Sequence, residues 1–198
     1  MTTDRLASSA AAERILCAAI EVFAESGYGG SSTREITKRL NMSATAIYPH
    51  YASKEELLYA IALDGHSSLL QAIKGADAQA RAASGNHTER LKAVVATFTI
   101  WHAENRKKAR VVHHELHGLT PSHYRSIAAL RRQTMAYVGA IITDGIDAGE
   151  FHAQCGDDVV VAISSLCVDV CRWFPSRQHS SPHKLGAVYA DIAERLVR

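Results

Sequence analysis

The stretch that decides the fold spans residues 27–58 and reads GYGGSSTREITKRLNMSATAIYPHYASKEELL. Ser32 followed by Glu35 has the spacing of a capping box, which predicts that a short helix begins directly after Ser32. A tight turn follows, after which Ser43 caps a second short helix over residues 44–50. Two short helices joined by about three residues have the spacing of a helix-turn-helix.

The side chains that face outward from this pair suit a nucleic acid. The second helix presents small residues that allow close approach to the floor of the major groove, where methyl groups can contact thymine and a hydroxyl can reach a base or a phosphate. The next helix begins at Lys54, where an ammonium and free N–H groups make a site for an anion. From the residues themselves, we expect contacts to DNA from Arg34, Ala44, Thr45, Ala46, Tyr48, His50 and Lys54.

The rest of the chain has helical spacing almost throughout, and no segment predicts a strand. The expected fold is all-α, with about nine helices. They are predicted over residues 10–26, from Thr33 to Leu40, 44–50, 54–74, 89–101, 107–116, 121–148, 158–174 and from Pro182 onward.

Composition narrows the class of protein. The 198 residues carry a formal charge of only +2, and 47% are hydrophobic, enough for a full core. The first 60 residues hold six basic and seven acidic side chains, so a DNA-binding head there must work by the placement of charge.

The N-terminus has no apolar leader and the longest apolar run, 159–174, is interrupted by polar residues, which predicts a cytoplasmic protein that does not enter a membrane. The four cysteines, Cys17, Cys155, Cys167 and Cys171, are then expected to be free thiols.

The order of residues across this region resembles the signature of the TetR family of regulators. It runs Gly-Tyr, Ser-Thr, Glu-Ile, Arg-Leu, Ser, Ile-Tyr, His-Tyr and Ser-Lys-Glu-Glu-Leu, in register over roughly residues 10–60. The resemblance implies a three-helix head over residues 1–53, with 1–8 as a flexible arm, and a ligand-binding and dimerisation body over 54–198. It also implies that DNA is contacted by Thr33, Thr45, Tyr48, His50 and Lys54. Pro49 departs from the family pattern and tightens the recognition helix after Tyr48.

The body contains a helix, 158–174, that is apolar nearly all round and must be covered on more than one side. One face can meet its own body and another a second chain, together with helix 121–148, in a four-helix interface between two-fold related copies. The residues expected in this homodimer interface are Ile127, Val138, Ile142, Val161 and Ile163. A purely internal core helix is the alternative.

The C-terminal half is also similar to the bodies of actinobacterial TetR-type regulators of lipid and steroid breakdown, several of which respond to acyl-coenzyme A thioesters. That resemblance implies an apolar tunnel with a basic mouth. The basic residues expected to meet phosphates are Arg172, Arg177 and Lys184. The residues expected to line the pocket are Phe98, Trp101, Leu116, Tyr124 and Trp173. Plain core packing is the alternative for each of these aromatic residues.

Two rival functions compete with a ligand-released repressor. His113 and His117 have metal-ligand spacing, which would suit a metal-binding or hydrolytic protein. A DNA-binding protein without a ligand is the other rival. No nucleophile elbow, phosphate loop or dinucleotide motif is present. We therefore expect a regulator that is not an enzyme, has no cofactor or metal, and binds double-stranded operator DNA as a homodimer.

Overall fold

The computed structural model describes residues 2–83, 85–152, 154 and 156–198, and for residues 2–9 it describes the backbone alone. Within those residues the chain is all-helical and contains no strand. The elements are α1 (Thr2–Gly30), α2 (Thr33–Arg39), α3 (Lys54–Ala83), α4 (His87–Glu104), α5 (Arg106–His114), a 3₁₀ turn (Leu116–Gly118), α6 (Pro121–Asp147), α7 (Asp157–Trp173) and α8 (Pro182–Val197).

The first helix is interrupted where the sequence predicts its end. Gly27 has φ +71° and ψ 160°, a left-handed conformation that glycine adopts without steric cost. The helix begins at Thr2, so the backbone is helical through most of the segment expected to be a flexible arm.

The capping box that opens α2 is confirmed. The Ser32 hydroxyl accepts a hydrogen bond from the Glu35 N–H at 3.3 Å, and the Glu35 carboxylate accepts one from the Ser32 N–H at 2.6 Å. The helix stops because Asn41 turns to φ +55°, and the Met42 N–H returns to the Thr37 carbonyl.

The expected recognition helix over residues 44–50 is not an α-helix. The segment is a run of turns in which the N–H groups of Ala46, Tyr48 and His50 each reach back three residues, as from Tyr48 to the Thr45 carbonyl at 3.2 Å and from His50 to the Ile47 carbonyl at 3.0 Å. Pro49 explains this correction, because it has no N–H to donate and its ring disfavours the α conformation of the residue before it. Ile47 is fully buried and anchors the segment to the core.

The chain forms two compact units, one made of Met1–Gly65 with Lys107–Ile127 and the other of His66–Arg106 with Ala128–Arg198. Helices α3 and α6 each contribute residues to both. This grouping differs from a single boundary after residue 53, because the segment 107–127 groups with the N-terminal residues.

The second unit is built around α4, which packs against α7 and α8. Gly186 makes the approach of α8 possible, because a Cβ there would lie 2.8 Å from the Ile100 side chain and 3.0 Å from the Ala96 carbonyl oxygen. Asp77, only 1% exposed, accepts hydrogen bonds from Arg90 at 2.7 Å and from the Tyr137 hydroxyl at 2.7 Å. A buried charge network therefore joins α3, α4 and α6 within this unit.

Three cysteines, Cys17, Cys167 and Cys171, are free thiols, and Cys155 lies outside the described residues. Among the helices that the structure describes, none is long and apolar enough to cross a membrane.

Candidate nucleic-acid interface

The residues predicted to face DNA lie on α2, on the segment 44–50 and at the start of α3, all within the first unit. Arg34, Ala44 and Thr45 are exposed, and the Tyr48 side chain is 52% exposed although it is a large hydrophobic residue. The Ser43 and Thr45 hydroxyls lie 3.3 Å apart. Thr33, Ala46 and His50 are half-buried. The arrangement presents the hydroxyl-bearing residues Ser43, Thr45 and Tyr48 and small side chains outward, while Ile47 faces the core.

Lys54 begins α3, as predicted, and its ammonium already has partners within the first unit. Its ammonium donates to the Tyr28 carbonyl at 2.8 Å and to the Ser31 carbonyl at 2.9 Å, and lies 4.2 Å from the centre of the Tyr28 ring. The ammonium therefore ties the start of α3 to the turn before α2. A direct contact between Lys54 and a phosphate stays a prediction, and it would compete with these two carbonyl bonds.

A carboxylate also fixes the turn that Lys54 contacts. Glu115, just before the 3₁₀ turn, accepts a hydrogen bond from the Tyr28 N–H at 3.1 Å. Gly118 lies against the Tyr28 ring, where an added Cβ would come within 2.4 Å of a ring carbon. Glu115 and Gly118 are thus positioning residues for α2 that the sequence reading missed, because 87 residues separate Tyr28 from Glu115.

Glu55, in the first turn of α3, joins this helix to the start of α6. Its carboxylate accepts from the Thr120 N–H at 2.8 Å and lies 2.9 Å from Nδ1 of His123. The His123 ring stacks on Tyr59 with centroids 3.8 Å apart. Burial alone would raise the pKa of Glu55, but hydrogen bonds from Thr120 and His123 hold it below its ordinary value.

Not every basic group near α2 is available to DNA. Arg39 forms a two-pronged ion pair with Glu25, with nitrogen–oxygen distances of 3.0 and 2.5 Å. This pairing lowers the pKa of Glu25. Arg34 and Lys38 are exposed and form no ion pair with the residues that the structure describes. Charge at this surface is therefore sparse, as the composition of the first 60 residues predicts.

The eight residues predicted to bind a ligand are divided between the two units. Leu116, which is buried, and Tyr124, which is 47% exposed, belong to the first unit, and the other six belong to the second. Phe98 and Trp101 are buried on α4, and the His102 ring lies 5.1 Å from the first and 5.0 Å from the second.

Of the residues expected at a basic mouth, Arg172 already has a partner. Arg172 is paired with Asp169 on its own helix, at 2.7 and 2.8 Å, so a phosphate would have to displace that carboxylate. Trp173 is half-buried and packs against Phe174 and His179. Arg177 and Lys184 are exposed.

Four of the five predicted interface residues lie inside the protomer. Ile127, Val138, Ile142 and Ile163 are at most 2% exposed, so they cannot face a second chain without unfolding. They occupy the inner stripes of α6 and α7, which sequence periodicity alone did not separate from an outer stripe. Val161 is 55% exposed. The large exposed hydrophobic residues on α7 and α8 are Val161, Leu166, Val188 and Leu196.

The two histidines of the metal-binding hypothesis, His113 and His117, do not share a helix face. Helix α5 ends at His114, so His113 is helical while His117 lies in the following 3₁₀ turn. His117 is exposed and its Nδ1 lies 3.2 Å from the His114 carbonyl oxygen. The spacing of four residues therefore does not bring the two rings together as metal ligands on a helix.

Comparison with known protein families gives two matches. A model described as "Tetracyclin repressor-like, C-terminal domain" matches residues 84–197, and one described as "Bacterial regulatory proteins, tetR family" matches residues 15–61.

Two characterised regulators have similar sequences. The transcriptional activator FasR of Mycolicibacterium smegmatis is 32% identical over 85 residues, which cover 43% of this chain and 37% of FasR, so the match spans little more than a third of that relative. The transcriptional repressor NicS of Pseudomonas putida is 24% identical over 182 residues, which cover 90% of this chain and 82% of NicS.

Solved structures match over nearly the whole chain. A regulatory protein of the tetR family from Rhodococcus RHA1 is 47% identical, with a TM-score of 0.88 over 94% of this chain and 96% of that one. AibR, solved in complex with isovaleryl coenzyme A and operator DNA, is 18% identical, with a TM-score of 0.80 over 92% of this chain and 97% of its own. At that identity the likeness to AibR shows the fold alone.

Proposed function

The chain belongs to the TetR family of transcriptional regulators, which are not enzymes, and on that premise we propose that it is a ligand-released repressor acting in the cytoplasm. In this proposal a homodimer binds a pseudo-palindromic operator, and a small molecule releases it. The observation that carries the proposal is the outward-facing segment 43–48, with Thr45 and Tyr48 exposed next to a capped helix.

The head can reach DNA because its exposed groups are small or end in a hydroxyl. Thr45 and the methyl groups of Ala44 and Ala46 suit base edges, and the Tyr48 hydroxyl suits a phosphate oxygen. Phosphate contacts position a protein and base contacts select the sequence. Arg34 and Lys38, exposed on α2, supply the positive charge for positioning.

A homodimer is supported by the outer side of α7 and α8. Leu166 and Leu196, both exposed, line one narrow crevice together with Tyr189 and Ile192. Apolar side chains grouped on adjacent helices are typical of a protein–protein interface. A two-fold pair of heads also explains how a short reading segment selects a long site, because each head reads one half-site.

The proposed effector is a large apolar acid, as a coenzyme A thioester. AibR, which has a similar fold, was solved with isovaleryl coenzyme A, and the second unit of this chain has the aromatic side chains of Phe98 and Trp101 on α4. Arg177 and Lys184 are exposed and available for phosphates. A ligand releases the DNA only when it binds the DNA-incompetent state more tightly.

The test is selection of duplexes from a random pool by the purified chain, followed by binding measurements. We expect a pseudo-palindromic site whose affinity falls steeply with salt. Isovaleryl-coenzyme A, longer acyl thioesters, the free acids and coenzyme A alone are then added to the complex. Release by thioesters only supports the full proposal. Failure of every compound leaves a ligand-independent DNA-binding protein, and failure to enrich any duplex rejects the DNA-binding function itself.

The sign of regulation needs its own experiment, because NicS is a repressor and FasR is an activator. A reporter gene behind the selected operator separates the two. We expect expression to fall when the chain is present and to recover with the effector.

A further inference from the structure

The first turns of α3 and α6 bring together Glu55, Glu56 and His123, which play no part in the proposed contacts to DNA. One ligand atom from each lies within 4.8 Å of the other two, and all three side chains are half-buried. Among the residues that the structure describes, no other three histidine, cysteine or acidic side chains converge in this way.

The spacing of these atoms suits a shared ion. Nδ1 of His123 lies 2.9 Å from Oε1 of Glu55 and 3.1 Å from Oε2. Two ligands that each lie about 2.0–2.1 Å from one metal ion are about 2.9–3.4 Å apart in octahedral or tetrahedral geometry. The hydrogen bond between His123 and Glu55 in the metal-free protein therefore holds the two ligands close to the separation that a bound ion requires.

Glu56 is the member of the group whose carboxylate has no hydrogen-bond or ion-pair partner among the described residues. It is nevertheless half-buried beside the carboxylate of Glu55. Two carboxylates at this separation repel each other when both are ionised. A cation between them removes that repulsion.

The ligands are also oriented by neighbours that do not belong to the group. The Thr120 N–H donates to Glu55 at 2.8 Å, and the Tyr59 ring stacks on His123 at an interplanar angle of 5°. Outer contacts of this kind fix the direction of carboxylate and imidazole ligands in metal sites. They restrict both side chains before any ion arrives.

We propose that Glu55, Glu56 and His123 bind a divalent transition-metal ion such as Zn²⁺, with water completing its coordination. Two carboxylates and one imidazole favour a borderline ion over Mg²⁺ or Ca²⁺, which prefer oxygen ligands alone. The ion links the first turn of α3, which directly follows the recognition segment, to the first turn of α6, and so stabilises the first unit.

The test is titration of the full-length, tag-free chain with Zn²⁺ by calorimetry, with Co²⁺ as a spectroscopic probe and Mg²⁺ as the hard-ion comparison. We expect one Zn²⁺ per chain, an absorption band for Co²⁺ that reports nitrogen coordination, and a rise in the midpoint of thermal unfolding, because the ion binds the folded state. Mg²⁺ binding as tight as Zn²⁺ binding would overturn the proposal.

The variants are chosen so that folding is not at issue. Glu56→Gln keeps the shape of a side chain whose carboxylate forms no hydrogen bond or ion pair with a described residue. It should weaken Zn²⁺ binding at least about 10-fold, because losing even an outer-shell partner of a metal site costs that much. His123→Gln should weaken it at least as much. His117→Gln, at a histidine side chain that is 71% exposed, is the matched control and should change nothing. Equal Zn²⁺ affinity in the wild type and Glu56→Gln overturns the site, as does loss of binding in the control. None of these readouts depends on DNA, so the metal site and the repressor function can fail separately.

Discussion

Thr45 and Tyr48 carry exposed hydroxyl groups on the same short segment, yet we assign them different tasks. Tyr48→Phe removes one hydrogen bond to a charged phosphate and should cost about 1.5–3 kcal/mol of binding free energy at every site. Thr45→Ala should instead change the relative affinity among operators that differ at the contacted base pair. Fluorescence anisotropy on a set of operators measures both effects. Tyr124→Phe, at another exposed tyrosine of the first unit, is the control, and a Tyr48→Phe protein that binds like it would place the recognition surface elsewhere.

Asp77 illustrates how much a single buried charge carries. Burial alone would raise its pKa, but hydrogen bonds from Arg90 and Tyr137 hold the pKa below its ordinary value. Asp77→Asn leaves the Arg90 guanidinium, only 4% exposed, without its main partner. Removing one member of a buried pair costs about 3–5 kcal/mol, and we expect that loss in the free energy of unfolding by urea.

Asp169→Asn is the matched control for that substitution. Asp169 is also paired with an arginine, Arg172, but both side chains are exposed. An exposed pair is worth about 0–1 kcal/mol, so the two variants should differ clearly. Equal destabilisation by the two would show that the Asp77 network contributes no more than a surface ion pair.

At the scale of the element, α3 and α4 each bury a histidine in the second unit. Burial lowers the pKa of His66 to about 4, assisted by the charges of Arg131 and His102. Burial also lowers the pKa of His102 to about 4, against the opposing effect of its hydrogen bond with the Phe98 carbonyl. In the unfolded chain the pKa of each histidine is about 6.5.

The sign of the resulting pH dependence follows from proton uptake. Between about pH 6.5 and pH 4 the unfolded chain binds more protons, so acid favours unfolding and stability falls as the pH drops through this window. Each histidine alone accounts for about 3 kcal/mol. Glu150, whose pKa is lowered to about 2, loses its contribution only below about pH 4.5. We expect His102→Gln to flatten the pH profile of urea unfolding between pH 4 and 6.5, and the exposed His117→Gln to leave it unchanged. An unchanged slope in His102→Gln would mean that His102 is not buried in the neutral form.

The elements also show which features the sequence could predict. The Ser32–Glu35 box is local, so three residues of spacing were enough to locate the start of α2. The spacing of segment 44–50 predicts a helix, but the effect of Pro49 on the backbone is not part of that spacing, and the segment forms turns. The contact from Glu115 to Tyr28 joins residues that no local pattern relates. A single sequence contains nothing that would have linked them.

The same limit applies to the helix faces of the body. Val161 and Ile163 are two positions apart on α7, which places them on opposite sides of the helix, and the first is 55% exposed while the second is 2% exposed. An all-round apolar helix predicts that some face meets a partner, but periodicity does not indicate which one. Packing of α7 against α4 and α8 decides it.

At the scale of the whole molecule, assembly as a dimer requires an outer surface that is apolar yet not needed for folding. Val161 and Leu166, five residues apart on α7, meet both conditions, because they are 55% and 42% exposed. Val161→Glu combined with Leu166→Glu should therefore give a folded monomer, since charges enter an intermolecular contact but not the core. Ile163→Glu places the charge inside the protomer and should unfold the chain.

Sedimentation velocity at micromolar concentration, circular dichroism and binding to the selected operator distinguish these outcomes. We expect the wild type to sediment as a dimer and the double variant to be a helical monomer. The monomer should bind a single half-site weakly, because it lacks the gain in affinity that two linked heads obtain from their effective concentration. Ser165→Glu, exposed on the same helix between the two positions, should weaken the dimer as well if the interface covers this face. A wild-type chain that sediments as a monomer would contradict the dimer and, with it, the explanation of a pseudo-palindromic operator. A double variant that stays dimeric and binds the full operator normally would show that the interface does not include this part of α7.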